Sequence, residues 1–444
     1  MTYEEALTYL ESLSSFGIMP GLDRIRALMD RLGHPEKSYA TIHVTGTNGK
    51  GSLTAYLGYA LINNGLKVGR FTSPHLESYR ERFVIGTDLI SEDDFCRVIG
   101  AVRTAIESLI SQGMESPTQF EALTAAGFLY FAQERVDYAV IEVGLGGLLD
   151  STNVLEQPAL SIITNVSLDH TAYCGSTIDS IAHHKAGIIK ETVPVVTGAK
   201  GDALSIIQDT AVEHGSRCYA LGRDFTVVNR EIEGLLQVVR VDTSDVELGS
   251  SHVCTYPDVS LRTRMLGPHQ ANNIACAWMA LEILMAGDSR IQADNCRAGL
   301  SLAQWPGRFE IISYRGRTLI LDGAHNAGGA QSFHDTYEEL FGSRPKTLIM
   351  AILRDKDYGT IIDKIVNPQD RVYTLEAPTP RSLTAQDLAS AIGPHAKPMK
   401  SMYQALTAAV NATQEGDVIA VCGSLYILGW ALQWIRQNDG HESA

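Results

Sequence analysis

The sequence predicts an α/β protein with two domains: a larger N-terminal domain built on a parallel sheet, followed by a smaller, doubly wound α/β domain. Short apolar runs alternate with helical patterns, and a glycine-rich loop joins the first strand to a helix. The alternation restarts after a Trp-Pro-Gly segment near residue 305. At about 150 residues per domain, the 444 residues suit two or three domains.

Composition and charge exclude several classes of protein. With 45% hydrophobic and 20% charged residues, the chain is not disordered. The net charge of -15 argues against a nucleic-acid partner, because nucleic-acid binders present a basic face. The seven cysteines form no CxxC pair, which argues against a zinc site or a disulfide framework and for a reducing cytoplasm.

Neither end of the chain predicts membrane insertion. The N-terminus lacks the basic and apolar segments of a signal peptide. Residues 418–435 carry no charge, but Cys422-Gly423-Ser424 interrupts them, so we interpret this stretch as a strand, a turn and a helix. We therefore expect a soluble cytoplasmic protein with no membrane partner.

Helices are predicted at the start of the chain, over 3–13 and 22–32, and a βαβ unit follows them. A strand is predicted over 40–44, a helix over 52–63 and a strand over 67–72. Helices over 92–111 and 119–134 follow, and then come buried strands over 138–142, 160–163 and 193–196, with a helix over 178–189. Shorter alternating pieces from 225 to about 259 predict antiparallel edge strands, and helices resume at 270–285 and 294–302.

The second domain is predicted from the renewed α/β alternation. Strands are expected over 318–321, 346–350, 371–375 and 417–421, with a helix over 329–340. The domains are therefore 1–303, a hinge at 304–310 and 311–444. Ligands of such sheets bind at the carboxyl ends of the strands.

The loop between the first strand and helix is typical of a phosphate-binding loop. It reads Val44-Thr45-Gly46-Thr47-Asn48-Gly49-Lys50-Gly51-Ser52. Backbone amides of Asn48, Gly49 and Gly51 suit phosphate oxygens, Lys50 neutralises them, and Ser52 reaches phosphate or magnesium. The loop departs from the common pattern because Gly51 separates Lys50 from Ser52. An ordinary glycine turn is the alternative, but the flanking strand and helix favour a nucleotide-binding loop.

Further motifs follow in order over nearly 400 residues. They are FTSPHL (71–76), EVGLGG (142–147) with DSTN (150–153), LDH (168–170), KAGI (185–188), GRFE (307–310), DGAHN (322–326) and GSLY (423–426). Together with the P-loop they resemble the folylpolyglutamate synthase and dihydrofolate synthase family of the Mur ligase superfamily. The family fold, an ATPase domain plus a smaller α/β domain, agrees with the predicted boundary.

The resemblance implies a reaction and its ligands. The family uses ATP to join L-glutamate to a folate-linked carboxylate through an acyl phosphate. The expected substrates are (tetrahydro)folate and folylpolyglutamates, or dihydropteroate in a dihydrofolate synthase. Magnesium is expected as the metal, and the resemblance also allows a monovalent cation such as K⁺. We expect a monomer.

By resemblance, the metal site consists of Ser73, Glu142, His170 and Lys185, with Lys185 carbamylated. Glu142 also ends a buried strand, where an acid faces the ligand crevice. Taken alone, the Asp169-His170 pair favours a helix cap, and the helical pattern favours a surface position for Lys185. The catalytic residues implied are Lys50, His170, Lys185 and Arg308.

Other residues are assigned to ligands in the same way. Arg308, after the hinge, is expected to reach the γ-phosphate as the domains close, and Asp322 and Asn272 are expected at the nucleotide. Their alternatives are an interdomain ion pair for Arg308 and helix caps for the other two. A further four residues are expected at the other substrates: His325 and Ser424 at glutamate, Arg82 and Gln119 at folate. A turn histidine, a serine cap, a solvated basic loop and a plain helix start are the respective alternatives.

Two departures and two competing functions remain. Many bacterial members have arginine where this chain has Leu148, and this difference leaves open whether the chain also has dihydrofolate synthase activity. The family also often has glycine where this chain has Arg354. A muramyl-peptide ligase of cell-wall synthesis has the same chemistry, but usually a further N-terminal domain, for which a P-loop that begins near residue 44 is expected to leave no room. A nucleotide-dependent switch is the non-enzymatic alternative, against which the set of catalytic residues argues.

Overall fold

The computed structural model describes residues 1–14, 17, 19–244, 246–248, 252–253 and 258–438. These residues form two compact units. One consists of Met1–Arg264 with Gln270–Gln304, and the other of Met265–His269 with Trp305–Ala444, within the described range. Cys254 and parts of the predicted 225–259 edge strands lie outside the described residues.

The first unit contains an eight-stranded sheet and a small antiparallel sheet. Strands are numbered in chain order, and those of the large sheet are β1 Ala40–Thr45, β2 Val68–Phe71, β3 Phe83–Ile85, β4 Asp88–Leu89, β5 Tyr138–Glu142, β6 Leu160–Ile163, β7 Val195–Thr197 and β8 Cys218–Ala220. The remaining strands are β9 Thr226–Glu233, β10 Leu236–Asp242, β11 Glu247–Leu248, β12 His252–Val253 and β13 Val259–Thr263. The β9, β10 and β13 strands pair antiparallel, as predicted for this region.

The helices of this unit surround the large sheet. They are α1 Tyr3–Ser14, α2 Asp23–Leu32, α3 Lys50–Ile62, α4 Glu92–Ser111, α5 Gln119–Gln133, α6 Thr171–Cys174, α7 Ile178–Ala186, α8 Gly201–Glu213, α9 Pro268–Gly287 and α10 Ala293–Leu302. One apolar core cluster includes residues of α1, α2, α4 and α5, and a second includes residues of α7 and α8. The sheet is thus covered by helices, which explains why almost every residue of β1 and β5 is buried.

The strand order places the predicted motifs at one edge. The order is β4-β3-β2-β5-β1-β6-β7-β8, parallel from β2 to β8. In the register, Val44 lies beside Glu142 and Thr45 beside Ile163. The segments that follow β1, β2, β5 and β6 therefore emerge side by side at the carboxyl edge.

The second unit is a six-stranded α/β layer. Its strands are β14 Glu310–Tyr314, β15 Arg317–Leu321, β16 Lys346–Met350, β17 Arg371–Thr374, β18 Ala396–Pro398 and β19 Val418–Cys422. Its helices are α11 Ala327–Phe341, α12 Tyr358–Ile365, α13 Ala385–Ile392, α14 Met402–Asn411 and α15 Leu428–Asn438. The order is β14-β15-β19-β16-β17-β18, and only the β14–β15 pair is antiparallel.

Two sequence interpretations can be compared directly with these elements. The strand, turn and helix expected over 418–435 are present as β19, a 3-10 turn at Leu425–Ile427 and α15. No helix among the described residues is long and apolar enough to cross a membrane. The helix predicted over 178–189 is shorter: α7 ends at Ala186, with Gly187 as its C-cap.

Candidate active site

The glycine-rich loop leaves β1 and turns into α3 at the carboxyl edge of the large sheet. Gly46 has φ +150° and Gly49, the N-cap of α3, has φ +84°, conformations that L side chains rarely adopt. Thr164 and Asn165, which follow β6, donate to the Asn48 carbonyl over 2.6 and 2.9 Å. The loop is thus held open by a neighbouring strand end, with the N-terminus of α3 facing its concavity.

Lys50 lies at the first position of α3 and is half-buried. Its ammonium donates to the carbonyls of Gly46 and Thr47 over 3.0 and 3.3 Å. The charge is therefore held at the mouth of the loop, where phosphate oxygens are expected. This is the position that a P-loop lysine requires.

Gly46→Ala is expected to destabilise the first unit and to weaken nucleotide binding. A Cβ on Gly46 would overlap Thr164 Oγ1, the group that holds the loop at Asn48. We expect a loss of about 2–4 kcal/mol in the free energy of unfolding, measured with urea. Gly65→Ala is the matched control, because Gly65 also has positive φ but an added Cβ there would meet nothing within 4 Å. Equal losses in both variants would contradict the steric explanation.

Asn272 and Asn273 differ sharply in their surroundings on α9. Asn272, the residue predicted at the nucleotide, is exposed, whereas Asn273 is buried. The Oδ1 atom of Asn273 lies 2.6 Å from where a Cβ on Gly49 would stand. Sequence reasoning missed Asn273, and the adjacent pair of asparagines carries no signal that separates them.

Glu142 and Ser73 lie together at the ends of β5 and β2. The Glu142 carboxylate is 4% exposed, and its Oε2 accepts a hydrogen bond of 3.3 Å from the Ser73 backbone amide. His170 is exposed, has φ +50° and stands at the N-cap position of α6 without a side-chain capping bond. The structure therefore brings Ser73 and Glu142 into contact.

Three of the four predicted metal ligands, Ser73, Glu142 and a carbamylated Lys185, would offer oxygen donors, and His170 would offer a nitrogen. Within the described residues, no group of three or more His, Cys, Asp or Glu side chains converges as a metal-holding cluster. The predicted set does not require such a cluster, because Ser73 would contribute a hydroxyl and Lys185 a carbamate. A hard cation prefers such oxygen ligands.

Lys185 is buried, contrary to the surface position that the helical pattern alone suggests. Its side chain lies in α7 with 4% exposure, and burial together with the positive charge of Lys50 lowers its pKa to about 7. Asp169 and Asp150 oppose this shift. A substantial neutral fraction near pH 7 is what addition of carbon dioxide to an amine requires.

The reason for this burial is the glycine loop after β5. A Cβ on Gly147 would stand 2.6 Å from the His184 carbonyl and 3.2 Å from Lys185 Cα, so only glycine permits this approach. The Leu148 amide donates to the same carbonyl over 2.7 Å. Asp150, also buried, accepts from the Leu145 amide over 2.8 Å and holds the loop's shape.

Arg82 and Gln119, predicted at folate, belong to one cluster. Arg82 Nε donates to His75 Nδ1 over 2.9 Å, and its guanidinium lies 5.7 Å from the Tyr79 ring centroid. Gln119 Nε2 donates to the Tyr79 hydroxyl over 3.0 Å and to the Leu10 carbonyl over 2.9 Å. Sequence reasoning missed His75 and Tyr79 as the residues that connect the two.

Asp322 closes a compact turn in the second unit. It is 8% exposed and accepts from the amides of Phe309 and Ala324, both over 2.7 Å. Burial raises its pKa to about 6, although the Arg308 charge opposes the shift. Arg308 is half-buried beside Gly323 and donates to the Gly307 carbonyl over 3.2 Å. Asp322 is therefore no helix cap, since Asn326 caps α11.

His325 and Ser424, predicted at glutamate, both follow strands of the second unit. His325 Nδ1 donates to the Gly323 carbonyl over 2.8 Å. Ser424 is buried and accepts from the Tyr426 amide over 3.3 Å, which confirms the cap alternative for its side chain. A cap role leaves the second lone pair and the proton of the hydroxyl for other partners.

These features define a class of protein. A parallel α/β sheet whose first strand runs into a glycine loop, a lysine and a helix is a P-loop nucleotide-binding fold. The acid that ends the adjacent strand and the buried lysine with a lowered pKa place titratable groups at the same edge. A nucleotide-dependent enzyme is the class that this combination indicates.

The chain belongs to the Mur ligase family. The Mur ligase middle domain matches residues 44–281, and the Mur ligase glutamate ligase domain matches residues 307–425. It is 33% identical to dihydrofolate synthase/folylpolyglutamate synthase of Bacillus subtilis, over 96% of this chain and 97% of that protein. It is 35% identical to folylpolyglutamate synthase of Lacticaseibacillus casei, with the same two coverages.

A solved structure supports the same assignment. The structure described as an FPGS–AMPPCP–folate complex is 32% identical and superposes with a TM-score of 0.81, covering 98% of this chain and 99% of that one. The predicted fold class and the predicted family are therefore confirmed.

Proposed function

We propose that this chain is a folylpolyglutamate synthase, an ATP-dependent ligase that adds L-glutamate to folate and folylpolyglutamates. The observation that carries the proposal is the site at the carboxyl edge. Lys50 lies at the mouth of the P-loop, its positive charge helps to lower the pKa of Lys185, and Glu142 ends the strand that pairs with β1. Full-length relatives named for this activity support the folate substrate. The solved complex named for AMPPCP and folate supports both ligands.

The chemistry begins with a carboxylate, which is a poor electrophile. A carboxylate oxygen bonds to the γ-phosphorus of ATP, the bond from that phosphorus to the bridging oxygen breaks, and ADP leaves. The α-amine of glutamate then attacks the acyl phosphate, loses a proton, and the phosphate departs as the amide forms. The glycine loop and Lys50 bind and orient the phosphates, since positioning and charge stabilisation dominate phosphoryl transfer.

The folate side is assigned to Arg82 and Gln119. Arg82 offers a fixed cation, held by His75 and Tyr79, to a folate carboxylate. In the second unit, His325 and Ser424 are assigned to glutamate, and Arg308, Asp322 and Asn272 to the nucleotide. We also take the two compact units as the ATPase and glutamate-ligase domains.

Magnesium belongs to the proposal through its donor set. Ser73, Glu142, His170 and a carbamylated Lys185 would hold it, and when bound it would offset the negative charge of the phosphates. The contact between Ser73 and Glu142, and the lowered pKa of Lys185, support this set. K⁺, the monomeric state and the cytoplasmic location are proposed from the resemblance and composition alone.

Substrate competition in one assay tests the function. Purified protein with ATP, magnesium and labelled glutamate is offered tetrahydrofolate, dihydropteroate or a UDP-muramyl acceptor. We expect transfer to tetrahydrofolate and none to the muramyl acceptor. Transfer to dihydropteroate as well would establish the bifunctional enzyme, a question raised by Leu148, which is 45% exposed in the glycine loop. No transfer to either pteridine would sink the proposal.

A further inference from the structure

Helix α9 carries three buried polar side chains, and two of them, Gln270 and Asn273, are hydrogen-bonded to each other near its start. Gln270 is 1% exposed and Asn273 is 5% exposed, and most of the other buried residues of this helix are apolar. Burying an amide without partners is unfavourable, so amides at such positions are expected to be hydrogen-bonded. Their partners therefore indicate what the two residues are for.

Those partners are the P-loop and each other. Gln270 Nε2 donates to Ser52 Oγ over 3.0 Å, and Asn273 Nδ2 donates to Gln270 Oε1 over 3.0 Å. Asn273 Oδ1 in turn stands 2.6 Å from the position of a Cβ on Gly49. The helix thus contacts the loop on both sides of Lys50.

The direction of these bonds determines what the Ser52 hydroxyl can do. A serine hydroxyl has one proton and two acceptor lone pairs. The Gln270 amide occupies one lone pair, so the proton of Ser52 is directed to a different acceptor. Ser52 lies in the first turn of α3, where the helix N-terminus favours an anion.

We propose that Gln270 is a positioning residue for ATP, acting through Ser52. By donating to Ser52 Oγ, it turns the hydroxyl proton toward a phosphate oxygen, and Asn273 fixes the orientation of the Gln270 amide. The inference rests on the proposed function, which supplies the nucleotide. It assigns to Gln270 a role that neither the P-loop pattern nor the folate motifs contain.

A double-mutant cycle tests the coupling in the full chain. The dissociation constant of AMPPCP with magnesium is measured by calorimetry for wild type, Q270M, S52A and the double variant. We expect Q270M and S52A each to weaken binding by about tenfold, the equivalent of one hydrogen bond to a charged group. The double variant is expected to bind no more weakly than S52A. Independent, multiplying effects would overturn the positioning role.

Two controls separate positioning from a general loss of stability. Glu282 is the third buried polar residue of α9, and it accepts from Trp278 Nε1 and Thr243 Oγ1, both over 2.9 Å. E282M is expected to lower the thermal stability and leave AMPPCP affinity unchanged. If Q270M fails to fold, Q270E replaces it in the same cycle, because its carboxylate would accept the Ser52 proton and turn it away from the phosphate. Q270E should therefore weaken AMPPCP binding in the wild-type background and have no further effect in the S52A background.

The cycle also distinguishes its own failure from that of the proposed function. A wild-type chain that does not bind AMPPCP would refute the nucleotide role and the positioning role together. A wild-type chain that binds AMPPCP, with multiplying effects in the cycle, would refute the positioning role alone.

Discussion

Lys50→Ala is expected to abolish glutamate transfer to both pteridines, with a fall in kcat of at least about 1,000-fold. The lysine is the cation held at the mouth of the P-loop by the carbonyls of Gly46 and Thr47. Without Lys50, the loop offers no positive charge to the phosphate oxygens, whose negative charge is redistributed during phosphoryl transfer. Initial rates with labelled glutamate at saturating ATP measure the effect.

The matched control for Lys50 is Lys67→Ala. Lys67 is a surface lysine of the same unit, paired with Glu134 over 2.9 Å. Its removal should leave the rate within about twofold, because an exposed ion pair contributes little. Retained turnover in the Lys50→Ala protein would mean that the loop is not the phosphate site.

Lys185→Met is expected to remove activity and at the same time to stabilise the fold. Glutamate transfer should fall at least about 100-fold, because no carbamate can then form at this position. The free energy of unfolding should rise by several kcal/mol near pH 7. In the wild type, burial lowers the pKa of the Lys185 amine to about 7, so unfolding is favoured because the exposed amine then binds a proton more tightly. Methionine at this position removes that penalty. Rates and urea unfolding measure the two effects.

The pH dependence follows from the same shift. Between about pH 7 and the ordinary lysine value of 10.5, the unfolded chain binds more protons at this position than the folded chain does. Wild-type stability therefore rises with pH across that window, and the advantage of Lys185→Met fades by pH 10. The comparison is made in carbon-dioxide-free buffer without divalent metal. An advantage that is the same at pH 7 and pH 10 would refute the lowered pKa.

Lys190→Met separates the roles of the two lysines. Lys190 is half-buried five residues beyond Lys185, and burial lowers its pKa as well. It is outside the proposed site, so its variant should retain activity. Carbon-13 NMR after exposure to labelled carbon dioxide should give a carbamate signal in wild type and in Lys190→Met, and none in Lys185→Met.

Local signals predicted much of the architecture. The strands at 138–142, 160–163 and 346–350 were predicted with the bounds that the structure has, because short segments rich in apolar residues are typical of buried parallel strands. The P-loop was predictable because its glycines, lysine and flanking elements are all contiguous. The resemblance to a family then placed the distant motifs.

What the sequence alone did not predict depends on contacts between distant segments. Lys185 has the pattern of an exposed lysine until Gly147 brings the β5 loop against it. Asn273 faces the P-loop while Asn272 faces solvent, and α9 is apolar on most sides, so its pattern does not orient it. His75 and Tyr79 become relevant only through their contacts with Arg82 and Gln119.

The hydrogen bond between Gln270 and Ser52 also determines when, during its synthesis, the chain can bind nucleotide at full strength. The two residues are 218 positions apart. At about 5–20 residues per second, the ribosome needs roughly 10–40 s to add the stretch between them. When β1 and α3 have just left the ribosome, the P-loop residues are therefore present but α9, which contacts them, has not yet been made. We expect stalled chains that end before residue 268 to bind AMPPCP more weakly than those that end beyond 304.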